Sequence, residues 1–396
     1  MSYDFDRPVD RRGTGSIKWE RMGAPGAAER GVIPLWVADM DLPSAAPILE
    51  ALRARLEKDA FGYTEYGEEL REAARSWYRR RFGWEVASGD IFYSPGIVPA
   101  LGFLIDILTE PGDGVIVQRP VYHPFANMIE GHGRRLVDNA LVEEDGRYRM
   151  DLDDLRAKAA DPRNKLVILC SPHNPVGRVW AEEELRAFGR ICLDAGLVVL
   201  SDEIHHDILR RGVAHRPLEA LFPEERPRIV TMTAPSKTFN IAGLQLSNVV
   251  IRDPEIQKRW KELVHGRLGL ELPNAFAVAA ARAAWESGEA WLEELKAYLD
   301  GNFAYLAGFL EKRLPRARLS PAEGTYLAWV DFRAWGFRRG ELAAFALEEA
   351  RVCVNDGAIF GPQGEGFLRL NLACPRTALA EALERLAAAL ERRRAT

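Results

Sequence analysis

The sequence predicts an α/β fold: a mostly parallel sheet flanked by helices, with a smaller α+β domain after it. Three observations carry that expectation. Between residues 91 and 251, short and almost wholly apolar runs alternate with helical stretches, as expected of strands covered on both faces. A polar cluster follows the strand each time, where open α/β sheets bind ligands. After Asp253 the texture turns helical, and strand-like runs return only near the C-terminal end.

The 396 residues suffice for two domains and a large core. We divide them into an N-terminal segment, 1–45, that joins the small domain; a large α/β domain, 46–284; and a small α+β domain, 285–396. Hydrophobic residues make up 47% and charged residues 28%, ordinary for a soluble globular enzyme and too apolar for disorder. The net charge of −5 argues against nucleic acid as a principal partner. The one dense basic run, Glu391-Arg392-Arg393-Arg394, reads as a helix end complementing its dipole.

Four widely spaced cysteines, without C-x-x-C or zinc-site spacing to histidines, read as buried thiols of a cytoplasmic protein and imply no metal. The start, Met1 to Arg7, carries acids and no apolar region, so no signal peptide is expected. No run is long enough to span a bilayer.

The elements are expected in this order. Residues 1–45 are rich in Pro, Gly and charge, with an extended apolar stretch from Ile33 to Pro43. A helix runs from Ser44 or Pro47 to about Lys58, with Ser44 as its N-cap. After Phe61-Gly62-Tyr63-Thr64 comes an amphipathic helix with Leu70, Ala73, Ala74 and Trp77 on one face. Ile91-Phe92-Tyr93 is a short strand turning at Gly96 into a helix that ends near Leu108. Strands follow at Val115–Val117, Leu166–Leu169, Leu197–Leu200, Ile229–Val230 and Ser247–Ile251. A helix between the second and third of these carries Leu185, Phe188, Ile191 and Cys192. Then come helices at Glu255–Gly266, Phe276–Trp285 and Trp291–Arg313, a strand at Tyr326–Asp331, a helix at Glu341–Arg351, a strand at Phe367–Asn371 and a closing helix at Thr377–Arg394.

Ser236-Lys237-Thr238 lies just past the run Arg228–Thr233. A partly desolvated lysine there is a nucleophile able to form an imine with a carbonyl. Alone, such a lysine is more often a solvated surface residue. Its company weighs the other way. If the carbonyl is the aldehyde of pyridoxal phosphate, the ring nitrogen needs a buried carboxylate to stay protonated, and Asp202 follows an apolar strand. Asn174 could donate to the ring oxygen, and Tyr122 could stack on the ring. Backbone N–H groups near Gly96 and Ile97 suit a phosphate, and Arg369 suits a substrate carboxylate. Each residue also has a plainer reading: Asp202 as a loop acid, Asn174 as a turn residue before Pro175, Tyr122 as core packing, Arg369 as a surface ion pair and Gly96 as an ordinary turn. Together, in this order, they read as one cofactor site.

On those residues the chain resembles the fold-type I pyridoxal-phosphate enzymes, the aspartate aminotransferase superfamily. Within it the chain is similar to the MalY/PatB-type branch of cystathionine β-lyases and cysteine-S-conjugate β-lyases. The matching text is Pro34-Leu35-Trp36-Val37-Ala38-Asp39-Met40-Asp41, Gly62-Tyr63-Thr64, Pro120-Val121-Tyr122-His123-Pro124-Phe125, Pro172-His173-Asn174-Pro175-Val176-Gly177, Ser201-Asp202-Glu203-Ile204-His205, Ser236 through Gln245, and Arg369-Leu370-Asn371.

The resemblance implies Lys237 as the cofactor-bearing lysine, Asp202 as partner of the ring nitrogen, Asn174 on the ring oxygen and Tyr122 stacked on the ring. Gly96 and Ile97 would cradle the phosphate, and Arg369 would hold the substrate carboxylate. Tyr63 would reach the phosphate of a neighbouring subunit, which implies a homodimer with shared active sites. His205 stands where aminotransferases carry a tyrosine to the ring oxygen. Ala234 replaces a common phosphate-binding serine and Gln245 a common arginine, so the phosphate must lean on backbone N–H groups, Tyr63 and Ser236. Trp36 and Asp39 belong to the segment that would shape the pocket for the group on sulfur. The expected activity is cleavage of L-cystathionine or another cysteine S-conjugate to a thiol, pyruvate and ammonia. An aminotransferase with the same residues, and a regulatory protein that keeps the fold without turnover, are the alternatives.

Overall fold

Seven strands form the central sheet, in the order Ile91–Ser94, Ser247–Val250, Ile229–Thr233, Val198–Asp202, Asn164–Cys170, Gly114–Val117 and Arg135–Asp138. The computed structural model describes residues 3–23 and 26–395, so Met1 and Ser2 of the N-terminal reading lie outside the described residues. Only Ser247–Val250 opposes its neighbours; the other strands share one direction. The reversal sets Ser247 opposite Ser94 and Asn248 opposite Thr233. This strand therefore enters the sheet at the edge where the others leave it.

Alternation along the strands explains their apolar sequence. Val115, Val117, Leu166, Ile168, Leu200 and Val230 pack beneath the helix Ile97–Leu108 and Trp260. Ile116, Val167, Leu169, Val199 and Ile229 face the opposite way, against the helix Glu182–Asp194, Trp180 and Phe222. Successive side chains point to opposite faces, and both faces are covered, so neither parity can be polar. Each such burial contributes about 1.5–3 kcal/mol.

A second sheet of four antiparallel strands, Arg318–Leu319, Leu327–Asp331, Phe367–Asn371 and Asn355–Asp356, lies beyond the long helix Glu289–Arg313. That helix serves two cores. Trp291, Leu292, Leu295 and Leu299 pack with the helices Glu68–Phe82 and Ala275–Ser287, whereas Phe303, Leu306, Phe309 and Leu310 pack beneath the second sheet. From the N-terminal segment, Ile33–Pro34 pairs in parallel with Val352–Cys353.

Some elements differ from expectation. The first long helix spans Ala46–Leu56, its N-cap position is Ala45 and no side chain caps it, so Ser44 is not its cap. The stretch after Asp253 is α-helical only over Pro254–Trp260 and widens to a π-helix over Lys261–Arg267; the Asp253 carboxylate caps it by accepting from Glu255 and Ile256. The edge strand Arg135–Asp138 and the hairpin Val142–Glu144 with Arg147–Arg149 carry charges within every run, which hides the apolar signal of a strand. The closing helix spans Arg376–Ala395, and the side chain of Arg394 lies outside the described residues.

Candidate active site

The strand ends converge on one cavity of about 790 Å³, counting its open mouth. Cys170 and Asp202 are register partners on neighbouring strands, so both reach the same rim. The next strand runs to Thr233; Ala234 is extended, and Pro235 then opens a single helical turn that presents Ser236 and Lys237 to the cavity. Gly96 and Ile97 line it at the start of the helix Ile97–Leu108, whose first amides have no intrahelical partner and no side-chain cap. Tyr122, Asn174 and His205 complete the set of predicted residues that the fold brings together.

Lys237 is half-buried, and its Nζ donates to the carbonyl of Ala38 at 2.7 Å. Burial pulls its pKa down to about 8, with Arg369 adding to the fall and Asp39 and Asp202 opposing it. Asp202 is buried, and burial pushes it up to about 7, although Oδ1 accepts from the Ile204 amide at 3.1 Å. A half-buried amine easily deprotonated thus shares a wall with a carboxyl poised between its two states.

Asn174 sits in the tight loop 171–177. His173 Nε2 stands 2.9 Å from the Pro120 carbonyl, which ties this loop to the one bearing Tyr122. Gly177, at φ +76°, faces Ala322 so closely that an added Cβ would come within 2.9 Å of the Ala322 side chain. Only glycine suits both the backbone and the space. Burial and the charges of Lys237 and Arg369 hold His205 neutral, and its Nδ1 has no partner among the described residues. Burial pushes the Tyr122 phenol up, so it too is neutral.

Arg369 lies behind Asn174 and not in the cavity wall itself. It is buried and donates from Nη1 to Asn174 Oδ1 at 2.9 Å, and from Nη2 to the Trp36 carbonyl at 2.9 Å and to Asn355 Oδ1 at 2.6 Å. Among the described residues no Asp or Glu forms an ion pair with it, and its Nε has no partner. Burial lowers its pKa to about 10. A cation so placed is electrostatically uncompensated, the condition that favours an incoming carboxylate.

Three predicted residues stand apart. Trp36 gives Arg369 its carbonyl, but its indole N–H donates to Lys18 O at 2.9 Å and its ring packs among Met22, Ala27, Val32 and Cys353. The ring therefore does not line the cavity. The Asp39 carboxylate is turned to Arg11, at 2.7 Å. Tyr63 is 98% exposed, in a surface hollow with Phe61, Leu272 and Phe276, away from the cavity of its own chain. Of the departures from the resemblance, Gln245 lines the cavity, and Ala234 is buried in the apolar core.

Sequence reasoning missed the residues that hold the segment 35–41 over the site. Asn371 Nδ2 donates to the carbonyls of Val37 and Asp39, both at 2.7 Å. Asn240 bonds Met40 twice, accepting from its N–H and donating to its C=O, each at 2.9 Å. Lys18 is fully buried, with Asp41 at 2.7 Å and the Asp39 carbonyl at 2.7 Å. Asn371 could have been found, because it follows Arg369 by the two-residue repeat that puts strand side chains on one face.

The chain matches the family "Aminotransferase class I and II" over residues 30–386. It is 42% identical to cystathionine beta-lyase PatB of Bacillus subtilis, over 98% of this chain and 100% of that one. Among solved structures it is similar to the PLP-bound C-S lyase of Staphylococcus hominis, with 37% identity, TM-score 0.93 and 98% of both chains covered. It is also similar to cystalysin of Treponema denticola, which contains pyridoxal 5'-phosphate, with 35% identity, TM-score 0.95, and 99% of this chain and 100% of that one covered.

Proposed function

The chain belongs to the class I and II aminotransferase family, and from that membership we propose a pyridoxal-phosphate-dependent carbon–sulfur β-lyase. It cleaves L-cystathionine, or another cysteine S-conjugate, to a thiol, pyruvate and ammonia. The observation that carries this reading is the cavity shared by Lys237 and Asp202, with the uncompensated Arg369 hydrogen-bonded behind Asn174.

The residues present fit the cofactor. The unpartnered first-turn amides at Gly96 and Ile97 suit its phosphate, with Ser236 beside them. Asp202 at about 7 becomes a full carboxylate as soon as a cation faces it, as a protonated ring nitrogen would. Asn174 suits the ring oxygen, Tyr122 the ring face, and His205, neutral, can donate or accept beside it. Bound there, pyridoxal phosphate supplies an electron sink for charge developing at the substrate Cα.

The chain's own residues do the rest. Arg369 would orient the substrate through its carboxylate, and Lys237 Nζ would take the proton from Cα as general base. The amine suits that task because burial has already brought its pKa near neutrality. The segment around Trp36 and Asp39 covers the cavity, and the group carried on sulfur is met by its backbone and by Ala38.

We read the assembly as a homodimer in which Tyr63 of the partner subunit reaches the phosphate. Phe61, Tyr63, Leu268, Leu270 and Leu272 are large, apolar or aromatic, and exposed, and part of this group lines one surface hollow. We divide the chain into an N-terminal segment over 1–45 that joins the small domain, a large domain over 46–284 and a small one over 285–396. No described helix is long and apolar enough to cross a membrane, and the four cysteines are free and buried. Both accord with a cytoplasmic enzyme.

Supplying L-cystathionine to the purified protein without any keto acid tests the reaction. The expected result is free thiol and pyruvate in equal amounts. Turnover that appears only after a keto acid is added would make the protein an aminotransferase and overturn the lyase reading.

A further inference from the structure

Among the buried carboxylates that the site described above does not use is Asp207. It is 1% exposed and lies on the chain segment that leaves the central sheet at Asp202 and carries His205. Its Oδ2 accepts from Thr238 Oγ1 at 2.9 Å, and His206 Nε2 stands 3.0 Å away. From the helix Glu68–Phe82, Trp77 Nε1 donates to Oδ1 at 3.2 Å and Arg81 Nε lies 3.7 Å from it. Burial alone would raise this carboxyl, but His206, Arg81 and Thr238 outweigh it and hold it below the usual range, as an anion.

Thr238 is fully buried and directly follows Lys237. Asp207 therefore ties together two loops, one bearing Asp202 and His205 and the other bearing Lys237. Strand pairing fixes Asp202 against Met232, but Lys237 lies beyond that register, on the single turn Pro235–Thr238. One helical turn has little rigidity of its own. A buried anion is also a costly way to fill space unless specific donors converge on it, and here they arrive from three directions.

We propose that Asp207, acting through Thr238, is a positioning residue that sets the separation between Lys237 Nζ and the Asp202 carboxylate. On the functional reading above, these two groups address opposite ends of one cofactor ring, so their spacing governs the reaction.

Thr238→Val removes the hydroxyl donor and nearly keeps the shape. In the holoenzyme, kcat should fall about ten- to a hundredfold with little change in KM, and the pH midpoint of the yellow cofactor band should shift. Thr238→Ser should restore both. Asp207→Asn should move the same two readouts in the same direction, and it reports in place of Thr238→Val if that variant does not fold. A lowered Tm with wild-type kcat and an unmoved band in the variant that folds would reduce Asp207 to a structural residue and overturn the proposal. If the wild-type protein fails to turn yellow with pyridoxal phosphate, the functional reading itself fails, and this proposal with it.

Discussion

Lys237 Nζ donates to the Ala38 carbonyl at 2.7 Å, across 199 residues of sequence. The acceptor is a neutral backbone oxygen rather than a carboxylate. It steadies the amine more weakly than an ion pair would, and burial lowers the pKa to about 8. The carbonyl is itself fixed, because Asn371, Asn240 and Lys18 hold the peptide groups on either side of it.

Asn371→Ala should loosen this segment. Two donations are lost together, at about 0.5–1.5 kcal/mol each, because the Val37 carbonyl still accepts from the Asp39 amide and the Asp39 carbonyl from Lys18 Nζ. We expect a lower Tm and a KM raised more than kcat is lowered, since the covering segment shapes the cavity without reacting. Thermal melts and steady-state kinetics check both. An unchanged KM would show that the segment does not contribute to the substrate pocket.

Arg369→Lys keeps the charge and removes the fork. A lysine cannot serve Asn174, Trp36 O and Asn355 at once while offering a bidentate face. Loss of a charged hydrogen bond of about 2 kcal/mol corresponds to roughly thirtyfold in KM for an amino-acid substrate. Retention of pyridoxal phosphate should not change. Equal loss of cofactor would place Arg369 in the cofactor site instead.

How far the sequence disclosed this site depends on the kind of signal each residue leaves. Lys237, Asp202, Asn174 and Gly96 stand at the ends of apolar strands, so finding the strands locates them, and the cavity gathers all four. Arg369 was legible as a strand residue, but not as a group reaching the site through Asn174. Trp36 misled because an aromatic ring in a covering segment suggests a wall, whereas its indole is engaged by Lys18. Asn240, Lys18 and Asp207 act on backbone or through a neighbour, across distances along the chain that periodicity cannot register. Ser44 failed as a cap because Ala45 takes that position.

Asp202→Asn makes a signed prediction for the cofactor-free protein. Burial moves this carboxyl from 3.8 to about 7, so between those values the folded chain binds more protons than the unfolded one. Stability falls as pH rises through that window. The asparagine variant escapes the penalty, gaining on the parent by at most about 4 kcal/mol above pH 7. The gap should close below pH 4. Urea melts at pH 4 and pH 8 measure it, and a gap independent of pH would show that the carboxyl ionises as freely in the folded chain as in the unfolded one.

Complementation tests the shared active site. If Tyr63 serves the neighbouring subunit, Lys237→Ala and Tyr63→Ala protomers are each inactive as homodimers but repair one another. In a mixed dimer, one site combines both defects, while the other combines an intact Lys237 with an intact Tyr63. Random reassociation of equal amounts should therefore restore about a quarter of the wild-type sites. The exposure of Tyr63 at 98% leaves its ring free to act on another chain, and the apolar residues around it give that chain a surface to bury. Mixing followed by assay for thiol release gives the count. No recovery, with mixed dimers demonstrated by mass, would confine each active site to a single chain.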